Sequence, residues 1–110
     1  MNLNIDVTEG NGKSAMKLAG EIDAYTAPQL KEKLLPLTKI ENNQVEVDLE
    51  GVHYMDSTGL GVFISALKSV NESDSKMRLI NLQNRVLRLF QITGLDEIIT
   101  LDTAIRGGND

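Results

Sequence analysis

Residues 44–61 read QVEVDLEGVHYMDSTGLG, and the reading of this stretch decides the fold. Val45, Val47 and Leu49 alternate with Glu46 and Asp48, the period of a strand with one apolar and one polar face. Past the loop, Leu60, Ile64 and Leu67 recur at helical spacing, with Phe63 and Val70 widening the stripe. The stretch is therefore strand, loop, helix. A sheet covered on both faces would read as a continuous apolar run, so helices are expected mainly on one side of this one.

Working outward, LNIDVTE alternates Leu3, Ile5 and Val7 with polar neighbours, and SAMKLAG returns as a second strand. Asn11-Gly12 between them is a hairpin turn, because both residue types tolerate positive φ. In GEIDAYTAPQLKEKLLPL, Thr26 is the expected N-cap and Pro28 fits the first helical turn. Leu30, Leu34 and Leu37 form the apolar stripe of that helix, and Pro36 ends or kinks it. Towards the C-terminus, KMRLINL reads as a strand. NRVLRLFQITG reads as a helix with Val86, Leu89 and Phe90 inward and Gly94 as its stop. DEIITLD reads as a last strand, and TAIRGGND as a short helical turn with a frayed tail. The order is β-β-α-β-α-β-α-β. It describes one α/β domain over residues 1–110, with a mixed sheet of about five strands and an N-terminal antiparallel hairpin. Strands joined through helices pair in parallel by right-handed crossovers.

Composition excludes several classes of function. The chain has 110 residues, 41% of them hydrophobic and 25% charged, so it can bury a core and is not disordered. Its net charge of -5 disfavours nucleic acid and anionic membranes. It has no cysteine, which excludes disulfides, thiolate zinc and thiol catalysis, and its one histidine, His53, has no carboxylate spacing around it to hold a metal. No apolar run spans a membrane and MNLNIDVTEG is not a signal peptide, so the simplest placement is cytoplasmic.

Three motifs resolve to bland readings. GNGKS at 10–14 ends like a phosphate-binding loop, but Val7 stands where the first glycine belongs and a strand follows. Asp56-Ser57-Thr58-Gly59 has one residue too many for an aspartic protease motif, which also needs a second carboxylate. His53 precedes Ser57 by four residues with no GxSxG elbow between them, so no serine hydrolase is assembled.

MDSTGLG at 55–61 itself carries two readings. The residues alone favour a helix cap: Asp56 or Ser57 accepts the first free N–H groups, with Met55 packed ahead of them. Yet Gly59 and Gly61 fall in the first turns of the helix, each costing about 0.5–1 kcal/mol relative to Ala, as though something approaches the backbone closely. A serine at a helix N-terminus also suits phosphorylation, because the phosphate meets free N–H groups and the positive end of the helix dipole.

GEIDAYTAPQLKEKL, DLEGVHYMDSTGLGVFISALK and LINLQNRVLRLFQITGLDEIITL, in that order, resemble the STAS-domain anti-sigma factor antagonists, nearest to the anti-sigma-B factor antagonists of Gram-positive bacteria. The resemblance covers roughly residues 3–106 and leaves RGGND unexplained. It implies a partner switch. The unmodified protein would bind an anti-sigma factor that is also a serine kinase and so free the sigma factor for stress-response transcription. Phosphorylation of Ser57 would end that binding, and a PP2C-type phosphatase would reverse it. The chain itself would be no enzyme and carry no cofactor; ATP and metal would belong to the partners. Asp23 and Asp56 would contact the partner or position the loop, and Thr58 would be a cap. Gly59 and Gly61 would permit close approach, and Leu60 would supply apolar contact. Two alternatives stay open: a phosphocarrier acting through His53, and a STAS scaffold that binds partners with no phosphorylation cycle.

Overall fold

The structure, a computed structural model, describes residues 2–103. Strands β1 (Leu3–Gly10) and β2 (Lys13–Ile22) form the opening hairpin. Helix α1 (Ala27–Thr38), strand β3 (Gln44–Met55), helix α2 (Ser57–Glu72), strand β4 (Lys76–Leu82) and helix α3 (Asn84–Ile92) follow. A 3-10 turn at Leu95–Glu97 leads into strand β5 (Thr100–Thr103).

The five strands lie in the sheet in chain order, β1 antiparallel to β2 and every later pair parallel. This order explains the layering. Three crossovers that all step the same way, each right-handed, place their helices on the same face of the sheet. On that face Phe63 of α2 meets Phe90 of α3, with ring centroids 6.1 Å apart. Met16 and Leu18 of β2, Val45, Val47 and Leu49 of β3, and Leu79 of β4 are buried beneath the helices. The alternate residues (Lys17, Glu46, Asp48 and Arg78 among them) form the uncovered face, as the alternation in VEVDL requires.

Four local expectations are corrected. Only Gly12 of the hairpin turn takes positive φ (72°), so Asn11 does not need the tolerance assigned to it. Thr26 precedes α1 but makes no side-chain cap; its hydroxyl instead donates to the Glu21 carbonyl at 2.8 Å and accepts from the Asp23 N–H at 2.9 Å. Ile64 is 47% exposed, whereas Leu60, Phe63, Ala66 and Val70 face inward, so the buried stripe of α2 is turned from the phase first read. DEIITLD is only partly strand. A 3-10 turn at Leu95–Glu97, whose Leu95 carbonyl accepts the N–H groups of Ile98 (3.1 Å) and Ile99 (3.0 Å), takes up its first half, and the strand begins only at Thr100. The helical turn expected after Thr103 lies outside the described residues.

Candidate modification and partner-binding site

The site is built where two parallel strands end. Ile22 of β2 pairs with Met55 of β3, so the residues that follow, Asp23 and Asp56, leave the same end of the sheet. The Asp56 N–H also donates to the Ile22 carbonyl at 3.2 Å, tying the two exits together.

Each aspartate organises a helix start. Asp56 is extended (φ -114°, ψ -170°) and caps α2. Its Oδ1 accepts the Thr58 N–H at 3.0 Å and the Thr58 hydroxyl as well. Its carbonyl accepts the Gly59 N–H at 3.0 Å and the Leu60 N–H at 3.3 Å. Two of the orphan donors of the helix, the Thr58 and Gly59 N–H groups, are thereby used, and the Leu60 bond is the first regular one of the helix. Asp23 is buried and holds the loop that leads into α1: its Oδ1 accepts the N–H groups of Tyr25 (2.9 Å) and Thr26 (3.1 Å), and its carbonyl accepts the Ala27 N–H at 2.8 Å. The carboxylate of Asp23 is therefore turned into its own loop, which is the positioning half of the role expected for it.

The two adjacent hydroxyls are not equivalent. Thr58 is committed to Asp56. Ser57 is the first residue of α2, is exposed, and its side chain has no hydrogen bond among the described residues. Its hydroxyl stands free at the positive end of a 16-residue helix.

The two glycines also part company. A Cβ on Gly59 would lie 2.5 Å from Met55 Cγ and 2.8 Å from Ile22 Cγ2. Gly59 is therefore needed so that α2 can start against the strand ends, and its cost is answered from inside the fold. Leu60 is 6% exposed and packs in the core. A Cβ on Gly61 would meet nothing within 4 Å, and this glycine faces solvent. Ser57, Gly61 and Ile64, at i, i+4, i+7, make the outward stripe of the first two turns of α2.

Tyr25 was not singled out from the sequence, and Ile64 was placed in the inward stripe. Tyr25 is 86% exposed in the loop that Asp23 organises. An aromatic in a short loop opening with Asp was the available signal; for Ile64 the helical period pointed inward and gave none. His53, on β3, is exposed and lies 3.3 Å from Glu21 Oε2, with no hydrogen bond to Ser57. Among the described residues there is no group of three or more His, Asp or Glu placed to hold a metal. No described helix is long and apolar enough to cross a membrane.

The strand-end site on a singly wound sheet defines the class. The STAS domain family model matches residues 2–107, and the chain belongs to the STAS family. It is 44% identical over 108 residues to the anti-sigma-B factor antagonist of Bacillus subtilis, covering 98% of each chain. Among solved structures, an anti-sigma factor antagonist from Mycobacterium paratuberculosis superposes with a TM-score of 0.82 at 23% identity, covering 92% of this chain and 86% of that one. The Bacillus cell fate determinant in its phosphorylated form superposes with a TM-score of 0.69 at 18% identity, covering 91% and 92%. These two structures share the fold.

Proposed function

We propose that this chain is an anti-sigma factor antagonist whose binding is switched off by phosphorylation of Ser57. The kinship to the Bacillus subtilis antagonist supports the first half of this reading. The observation that carries the second is the contrast between the hydroxyls: Thr58 is bound to Asp56, and Ser57 is exposed and free. The partner is an anti-sigma factor with serine kinase activity, which Ser57 must reach as substrate and touch as ligand. A PP2C-type phosphatase restores the binding form.

The outward stripe Ser57, Gly61 and Ile64 is the contact surface, with Asp23 and Asp56 holding its two loops and Thr58 locking the cap. Gly59 and Leu60 shape that surface from beneath. Phosphorylation adds about 1.5–2 negative charges at pH 7 beside Asp56. An interface closing over that charge suffers repulsion and desolvation. A penalty of ~4 kcal/mol weakens binding roughly a thousandfold, enough for a switch without a new fold.

The test is titration of wild type, Ser57→Ala and Ser57→Asp against the nucleotide-loaded anti-sigma factor. Ser57→Ala is expected to bind as wild type does and to resist phosphorylation. Ser57→Asp is expected to bind at least tenfold more weakly. Equal affinity for all three proteins would leave the constitutive scaffold as the better reading.

A further inference from the structure

The face of the sheet that carries no helix holds a depression of about 590 Å³ at the end away from Ser57. That volume is in the range of roughly 300–1,000 Å³ typical of small-molecule sites. Its construction follows from the strand register. Thr8, Ala15, Glu46, Arg78 and Thr100 form one row across the five strands. Ala15 and the two threonines are short, so the row dips where they stand. The next row runs Lys13, Gln44, Lys76.

The charges around the dip are unequal in availability. Arg78 is held by Glu46 at 2.5 Å, with Asp102 at 4.0 Å, and Glu46 raises its pKa further. Lys13 and Lys76 have no carboxylate within 4.0 Å among the described residues. They flank Gln44 on neighbouring strands, so their Cα atoms are about 10 Å apart, two strand spacings. Two lysine stems can bring both ammonium groups onto one anion above the Gln44 amide. Three cations and two carboxylates (Glu9 and Glu46) line the dip, a positive excess on a chain of net charge -5.

We propose that this depression binds a small organic anion, a carboxylate or phosphate monoester. Its charged group sits between Lys13 and Lys76 and its body lies over Ala15. β3 has 12 residues and runs from this depression to the Ser57 loop, a span on the order of 30 Å. An occupant here leaves the Ser57 surface open, so the two sites can be filled together.

The experiment is an amide chemical-shift titration of the full chain with phenyl phosphate, benzoate and inorganic phosphate. Saturable shifts centred on Lys13, Gln44 and Lys76 are expected with at least one aromatic anion, at a dissociation constant of about 1 mM or tighter. The aromatic probe that binds distinguishes the two head groups, and inorganic phosphate is expected to bind more weakly for want of a body. Lys13→Gln with Lys76→Gln is expected to weaken binding at least tenfold. Lys31→Gln with Lys33→Gln, two exposed lysines of α1, is expected to leave it unchanged. The proposal is overturned by shifts that fail to saturate, by equal binding of inorganic phosphate, or by equal losses in the two double variants.

Discussion

At the scale of single residues, Gly59 and Gly61 look alike in the sequence and act differently in the structure. A methyl on Gly59 meets Met55 and Ile22, both buried in the core. Overpacking of this kind costs about 1–3 kcal/mol. A methyl on Gly61 meets nothing, so Gly61→Ala should gain the helix propensity, about 0.5–1 kcal/mol. Urea denaturation of Gly59→Ala and Gly61→Ala should therefore move the midpoint in opposite directions. A stable Gly61→Ala protein that binds the anti-sigma factor poorly would place the partner against Gly61. If Gly59→Ala keeps wild-type stability, the inward role of Gly59 is wrong. The sequence could not separate these glycines, because one of the two side chains that fixes Gly59 comes from Ile22, on another strand. The choice between hydroxyls was legible only in part. The residues alone left either Asp56 or Ser57 as the cap, and only the structure commits Asp56 to Thr58 and leaves the Ser57 hydroxyl without a partner among the described residues.

At the scale of elements, the alternation of β3 and its passage into α2 were readable because burial on one face imposes a strict period. The phase of α2 was not. Ile64 is as apolar as Leu60, and only packing against α1 and the strands decides which of them turns inward. The start of α1 was misread for a related reason. Thr26 occupies the cap position, but Asp23, three residues earlier, takes the N–H groups. A carboxylate that serves two backbone donors while 8% exposed holds the loop more than it invites contact. Asp23→Ala would strand those donors, and unsatisfied buried groups cost about 1–3 kcal/mol each. Asp23→Asn keeps the acceptor oxygen. Thermal unfolding should show a clear loss for Asp23→Ala and a small change for Asp23→Asn. Normal binding by Asp23→Asn would assign Asp23 to loop architecture; weak binding by a fully stable Asp23→Asn would assign its charge to the interface.

At the scale of the whole molecule, the bare face was legible from the alternation of β3 and not from element order, which doubly wound sheets share; the strand order β1-β2-β3-β4-β5 came only with the structure. Given that order, chirality leaves no other way to join these strands by same-sense crossovers. The extent of β5 was not legible either, because a hydrogen-bonded 3-10 turn at Leu95–Glu97 takes up residues that read as strand, and the pairing starts only at Thr100. The wound architecture also bears on how a phosphate at Ser57 would act. Ser57 opens a helix anchored along its length by Leu60, Phe63, Ala66 and Val70. The helix N-terminus favours a phosphate by about 0.3–1 kcal/mol. Repulsion from the half-buried Asp56 opposes it by about 1 kcal/mol per charge pair at 4 Å in water. The two nearly cancel, and neither reaches the core. Phosphorylated protein should therefore melt within about 4 °C of the unmodified form, because ~1 kcal/mol moves a domain of this size by roughly 4–8 °C. Calorimetry of the two forms checks this. A shift beyond about 8 °C would mean that the phosphate acts by disturbing the fold. A shift inside the expected band, together with loss of binding, would locate the switch in the charge presented to the partner.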